Sequence, residues 1–262
     1  MKALKNTSKP KKITVRFFLQ KQVQPEATTQ ANGKEIPAYP LYLYITYNRK
    51  NMQFRSNYGE FYTDLKDVEE NDRGLMAFEE KLITKVIRYE ISHLSNEDEY
   101  DMKGLKDKYE IYATSIHTTL EKYLKPKLRI AILKTKNKLH HALNLNKNDS
   151  FNTVLRLYKV AGMVFDNFFQ ILDTNLHQEI ETYQKFNEEL LGGNTYNFPT
   201  VIDWLDGSYK KELNLFLTKV FKRKPELINS IHKLIDKAVD EKIKEIEKIE
   251  QKYSQIIKKK KT

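Results

Sequence analysis

Strict alternation in three segments, residues 13–20, 39–47 and 51–57, constrains this chain more than anything else in it. Successive side chains of a strand point to opposite faces, so each segment sorts into two sets. Ile13, Val15, Phe17, Leu19, Leu41, Leu43, Ile45, Tyr47, Met52 and Phe54 make one apolar face. Thr14, Arg16, Phe18, Gln20, Tyr42, Tyr44, Thr46, Gln53, Arg55 and Asn57 make the other. Residues 48–50 join the second and third segments with a connection of hairpin length. The apolar face needs a cover. Leu75, Phe78, Leu82, Val86, Tyr89 and His93 recur at 3–4-residue intervals, which predicts a helix over residues 74–94. Residues 22–38, with Pro25, Thr28, Thr29, Asn32, Gly33 and Pro37, read as an excursion between the first two strands.

Four acids within residues 96–101 mark a linker, and everything beyond reads as helical. One helix is expected over 105–124, and Pro126 sits where a second would start and run to about 145. Asp149 or Ser150 is a candidate N-cap for a long apolar helix over 151–172. A helix over 175–191 ends at Gly192 and Gly193. Pro199 and the Asp206, Gly207 pair bracket a short piece carrying Trp204, and a helix over 213–221 stops before Pro225. The last element, residues 226–258, carries two apolar seams, Ile228, Ile231, Ile235, Ala238 and then Ile246, Ile249, Tyr253, Ile256, with Lys242 between them. A helix that long runs about 50 Å, more than one small core covers, so the second seam is expected to meet another chain. The fold class is α+β. A small antiparallel three-stranded sheet with a covering helix precedes a larger all-helical region that ends in a long amphipathic helix. The divisions are a basic tail (1–12), a sheet domain (13–95), a helical domain (103–224) and the long helix with its basic end (225–262).

Net charge is +11, and its distribution says more than its sum. Residues 1–60 hold 11 Lys/Arg against 3 Asp/Glu, residues 61–110 hold 8 against 14, and residues 111–172 hold 10 against 3. Blocks of opposite sign point to a polyanion partner or to charge-matched self-assembly. A Lys-rich background (38 Lys against 8 Arg) explains the sum better than the blocks. With no Cys, disulfides, thiolate nucleophiles and cysteine-bound zinc are excluded. No apolar stretch suggests a signal peptide or a membrane span, so a cytosolic location, or a virion assembled in a cytosol, is expected.

Two basic surfaces are candidates for nucleic acid. The first is the polar sheet face, with Arg16, Tyr42, Tyr44 and Arg55, and with Arg49 and Lys50 at the hairpin tip. A ribbon of this width suits a major groove; the alternative is cross-strand aromatic pairing under a second protein layer. The second is the acid-free stretch between Glu121 and Asp149, where Lys127, Lys134 and Lys138 fall near one side of a helix and Arg129 accompanies them. Phosphate binding and a salt-bridged interface suit this stretch equally.

The strand order, the loop containing Asn32, Gly33 and Lys34, and the strand of Leu41, Tyr42 and Leu43 leading through a basic turn toward a helix resemble a known family. They are similar to the arm-type DNA-binding domain that opens tyrosine recombinases (integrases) from mobile elements of Bacteroides-like bacteria. The resemblance covers residues 12–94. It implies contact with duplex DNA and descent from a phage or mobile element. Two roles then follow as expectations: a non-catalytic DNA-binding or architectural protein, or a structural virion part such as a portal-proximal ring that reuses the fold for assembly. Recombination itself needs two arginines and a His-x-x-Arg pair to clamp the scissile phosphate around a tyrosine nucleophile. None of His93, His117, His140, His141, His177 and His232 has Arg three residues later, and beyond residue 90 only Arg129, Arg156 and Arg223 remain. A tyrosine without that clamp cannot stabilise the transition state. Glu79 with Glu80, Glu188 with Glu189 and Asp240 with Glu241 read as solvated helix faces rather than acid–base pairs. His140 and His141 point about 100° apart on a helix and make no ligand pair. No enzyme activity, cofactor or metal is expected. On a nicked suicide duplex, no tyrosine should be trapped as a covalent protein–DNA adduct; one such adduct would overturn the exclusion.

Overall fold

The computed structural model describes residues 11–22, 25, 27–31, 34–57, 61–134, 153–191, 199–221 and 224–259. The chain divides into two compact units, residues 1–110 and 111–262.

The first unit is built on one long strand. β1 (Ile13–Leu19), β2 (Ala27–Ala31), β4 (Lys50–Arg55) and β5 (Phe61–Tyr62) all pair antiparallel with β3 (Lys34–Tyr47). β1 and β4 share the same stretch of β3 and so occupy its opposite edges, which is the expected three-stranded sheet. The registers keep the alternation: Ile45 lies between Val15 and Met52, Leu43 lies between Phe17 and Phe54, and Leu41 faces Leu19. The expected excursion is corrected in part. Residues 27–31 and 34–38 pair as a second ladder that extends β3 to 14 residues, about 46 Å.

Acidic side chains then turn the chain. α1 (Leu65–Asn71) starts in a capping box of Asp64 and Asp67, and Tyr62 donates its hydroxyl to Asp72 at 3.0 Å. α2 (Arg73–Ser92) packs along β1, but not in the expected phase. Leu82, Ile83, Val86 and Ile87 are buried, whereas Leu75, Phe78 and His93 are exposed. The reason is Glu79, which is fully buried rather than solvated. Its carboxylate accepts from Ser56 Oγ (2.5 Å), the Asn57 amide (3.0 Å) and Tyr109 Oη (3.2 Å). Three donors offset the cost of burying the group, and they fix the helix rotation.

Residues 96–101 are no linker. A 3₁₀ turn (Glu97–Glu99) folds back on the hairpin, where Tyr47 donates to Glu97, Asn48 Nδ2 donates to Asp98 and Lys11 pairs with Asp98. Tyr100, Met102, Leu105 and Tyr109 are buried with the sheet unit. α3 (Leu105–Tyr112) carries Lys108, which meets Glu90 of α2 at 2.6 Å with both side chains 7% exposed, and Tyr100 Oη donates to the same carboxylate at 2.8 Å.

The second unit is helical, and its only strand-type pairing among the described residues is an isolated bridge between Ser115 and Thr200. α4 (Ile116–Lys134) packs against α5 (Val154–Val164), α7 (Thr174–Leu191), α8 (Val201–Leu205) and α10 (Pro225–Lys259). α6 (Phe168–Ile171) follows α5, and α9 (Ser208–Val220) precedes α10. The single helix expected over 105–124 breaks at residues 113–115, where Ser115 Oγ accepts from the Thr118 amide. Pro126 lies inside α4 instead of opening a helix. It is exposed, and the carbonyl it deprives belongs to exposed Lys122, so water replaces the missing bond. The helix expected over 151–172 also breaks, at left-handed Asn167 (φ 59°) between α5 and α6, and Thr153 caps α5. Asp149, Ser150, Gly192 and Gly193 lie outside the described residues. Between helices, Tyr183 Oη donates to Glu121 (2.8 Å) beside His117, and Glu121 also receives the Val154 amide that opens α5. Trp204 is buried and donates to Asp236 of α10 at 2.9 Å. Among the described residues, no helix is long and apolar enough to cross a membrane.

Glu79 generates a test. Burial raises its pKa, so its folded-state penalty grows as pH rises from the ordinary carboxylate range through the raised value. Glu79→Gln keeps an oxygen for Asn57 and Tyr109 and turns a donor toward Ser56. It should remove that downward slope in a pH series of urea melts and cost little stability at neutral pH. Glu79→Leu should cost about 1–3 kcal/mol, because it strands the Asn57 and Tyr109 donors.

Candidate nucleic-acid interface

The sheet has one covered face and one open face. On the covered face Leu41, Leu43, Ile45, Tyr47 and Phe54 are buried. On the other, Arg16 and Gln53 are exposed and Phe18, Tyr42, Tyr44 and Arg55 are partly exposed. Register aligns this outer face in rows: Phe18, Tyr42 and Arg55 form one, and Arg16, Tyr44 and Gln53 form the next. Phe18 and Tyr42 rings lie 5.8 Å apart, and the Arg55 guanidinium sits 5.1 Å from the centre of the Phe61 ring. Thr14, Thr46 and Asn51 complete the three-stranded part, so no carboxylate stands on it.

The hairpin tip is divided. Asn48 and Arg49 turn the chain with φ of 46° and 63°, the pair of positive values that a two-residue turn of matching twist requires. Gly is the favoured second residue, and an exposed Arg in its place is locally unfavourable. Lys50 does not reach outward: its Nζ donates to the Tyr100 carbonyl at 2.5 Å. With Lys11 and Asn48 also engaged by Asp98, the turn is held on either side of Arg49 by its own chain, and those contacts hold the Asp98 carboxyl below the usual range.

The second basic surface does not assemble as one patch. Lys127 lies over the Tyr123 ring at 3.3 Å and 3.8 Å from Glu179, so it is engaged within the helical unit. Arg129, partly exposed, points roughly 200° around α4 from Lys127, while exposed Lys134 returns to the Lys127 side at the last residue of the helix. Lys138 lies outside the described residues.

Of the seam expected to meet another chain, one residue is covered by its own chain and two are partly so. Ile246 is 5% exposed within its own chain, and Ile249 and Tyr253 are partly buried. The side chain of Ile256 lies outside the described residues. Lys242, read as a break between seams, is 12% exposed and reaches out along the helix to Glu245 at 2.7 Å. Sequence reasoning missed the exposed apolar side chains of α5 and α6, where Met163 is 77% and Ile171 58% exposed. A continuous apolar helix over 151–172 hides them, and only the break at Asn167 sets them apart.

Among the described residues, no group of three or more His, Asp or Glu could hold a metal ion. No protein-family model, no curated protein and no solved structure matches this chain.

The turn provides a measurement. Arg49→Gly should raise the stability of the chain by about 0.5–1 kcal/mol in urea unfolding, since it relieves a left-handed non-Gly residue. A drop in stability would mean that the Arg49 side chain is held by contacts that outweigh the backbone strain.

Proposed function

We propose that this chain is a non-catalytic, DNA-associated binding or architectural protein of a phage or mobile element, and that it holds DNA on the outer face of its N-terminal sheet. One observation carries the reading. The face opposite the covering helix is partly exposed, bears Arg16 and Arg55 beside aromatic rings, and among the described residues of its three strands carries no carboxylate. The position of Arg49 adds support, because a strained residue at an exposed tip is more easily understood when its side chain has a use. The resemblance to the arm-type domain of tyrosine recombinases points the same way, since it implies a sheet of this size with a helix across one face. The alternative role, a structural virion component assembled through the last helix, draws less support, because Ile246 is covered within its own chain.

Salt titration tests the proposal. Replacing Arg16, Arg49 and Arg55 together by Ala should weaken DNA binding and flatten log K against log salt. Every phosphate that these side chains neutralise adds about 0.9 to the slope on a duplex and about 0.7 on a single strand. Lys50→Ala and Lys127→Ala, whose amines are engaged within the fold, should leave the slope unchanged. An unchanged slope in the triple variant would mean that this face does not touch DNA.

A further inference from the structure

The outer face holds more aromatic surface than phosphate binding needs. Phe18, Tyr42 and Tyr44 stand on it partly exposed, with Phe18 and Tyr42 packed as a cross-strand pair at 5.8 Å and Tyr44 in the next row. Each tyrosine has a guanidinium beside it in register: Arg55 next to Tyr42 and Arg16 next to Tyr44. Gln53, on the other side of Tyr44, adds an amide that both donates and accepts.

The spacing of the rings selects the ligand. Tyr42 and Tyr44 are two residues apart on one strand, which separates them by roughly 6.7 Å. Bases within a duplex strand follow one another at about 3.4 Å and show only their edges. Two rings at twice that interval cannot follow stacked bases, and a duplex offers no base faces to them. Unpaired bases splayed from an extended backbone offer one face to each ring, and such stacking is tolerant of sequence.

We infer that the outer sheet face is a stacking platform for a single-stranded nucleic acid, with one unpaired base on Tyr42, the next on Tyr44, and Arg55 and Arg16 on the adjoining phosphates. This rests on the proposed function and specifies the form of nucleic acid that it takes. Gln53 reaches the edge of the base on Tyr44, which gives that position a modest base preference.

Fluorescence anisotropy on the full chain tests the inference, using short deoxy and ribo single strands of mixed sequence and a duplex of the same length. A single strand should bind more tightly than the duplex, and the tighter of the two strands names the sugar. Tyr42→Ala and Tyr44→Ala should each weaken single-strand binding about tenfold. Tyr42→Phe and Tyr44→Phe, which keep the ring, should stay within about twofold of the parent. Crosslinking with a photoreactive pyrimidine strand reads the same contact without any variant, and adducts should map to Tyr42 or Tyr44. If the duplex binds as well as either strand, and only the arginine variants weaken it, the stacking inference falls while the DNA-binding role stands. If neither form binds at low salt, or adducts map away from this face, both fall.

Discussion

The first unit is organised by a carboxylate in an apolar core. Glu79 is reached by donors from two places, the chain just past β4 and the helix α3, and the donors would be stranded without it. An unpaired charge at that depth would be prohibitive, so the helix settles in the rotation that satisfies it. That rotation lays Leu82, Ile83, Val86 and Ile87 on the sheet and turns Leu75 and Phe78 outward. It also draws Tyr109 and α3 into the unit, where Phe54 and Tyr109 rings meet at 5.7 Å. The buried pair of Lys108 and Glu90 then fastens α3 to α2. All of this cover lies on one side of the sheet, and the other side is left open.

The acidic block of residues 61–110 has a local explanation. Asp64 and Asp67 cap α1, Asp72 receives Tyr62, Glu79 and Glu90 are buried with their donors, and Glu97 and Asp98 hold the base of the hairpin. These seven acids, half of the block's 14, serve the fold. The basic N-terminal block is different in kind. Lys11 and Lys50 are engaged by the acidic turn, but Arg16 and Arg49 remain exposed, and Arg55 lies against an aromatic ring on the outer face.

Periodicity made the strands legible because one residue of slip would send every apolar side chain to the wrong face. Alternation sends Val15, Ile45, Leu43 and Phe54 to one face, and the registers of the folded sheet keep them there. The outer face was legible for the same reason, and Arg16, Tyr42, Tyr44 and Arg55 stand where alternation sends them. The phase of α2 was not, since a Glu in a helix ordinarily faces water and the donors that reverse this come from residues 56, 57 and 109. Lys50 and Lys127 looked available as cations because the Tyr100 carbonyl and Glu179 approach them only in the folded chain. In the helical unit the breaks were obscure. Pro126 suggested a boundary where the helix in fact runs on, while Ser115 and Asn167, ordinary polar residues in the sequence, mark the breaks by capping the start of α4 and by a left-handed backbone ahead of α6.

Two sets stand apart among the described tyrosines: those buried with a hydrogen-bonded hydroxyl, as Tyr47, Tyr62, Tyr100 and Tyr109 are in the first unit, and those left at the surface of the sheet. In the helical unit the buried set joins helices: Tyr183 donates to Glu121, Tyr123 to Glu179, and Tyr158 meets His177 at 2.7 Å. Burial holds the Tyr123 and Tyr183 hydroxyls well above the usual phenol range, reinforced by the carboxylates beside them, and pushes Tyr158 up to about 12. A phenol so held keeps its proton, which is the reverse of what a nucleophile requires. Their hydroxyls are spent on joining one helix to the next, and their rings fill the core. Tyr42 and Tyr44 contribute neither a helix joint nor core volume, and they keep ring surface at the boundary with water. Tyr42 also packs on Phe18 across the strands, a pair that itself steadies the outer face. The stacking ligand that we infer would use both rings and the arginines in register with them.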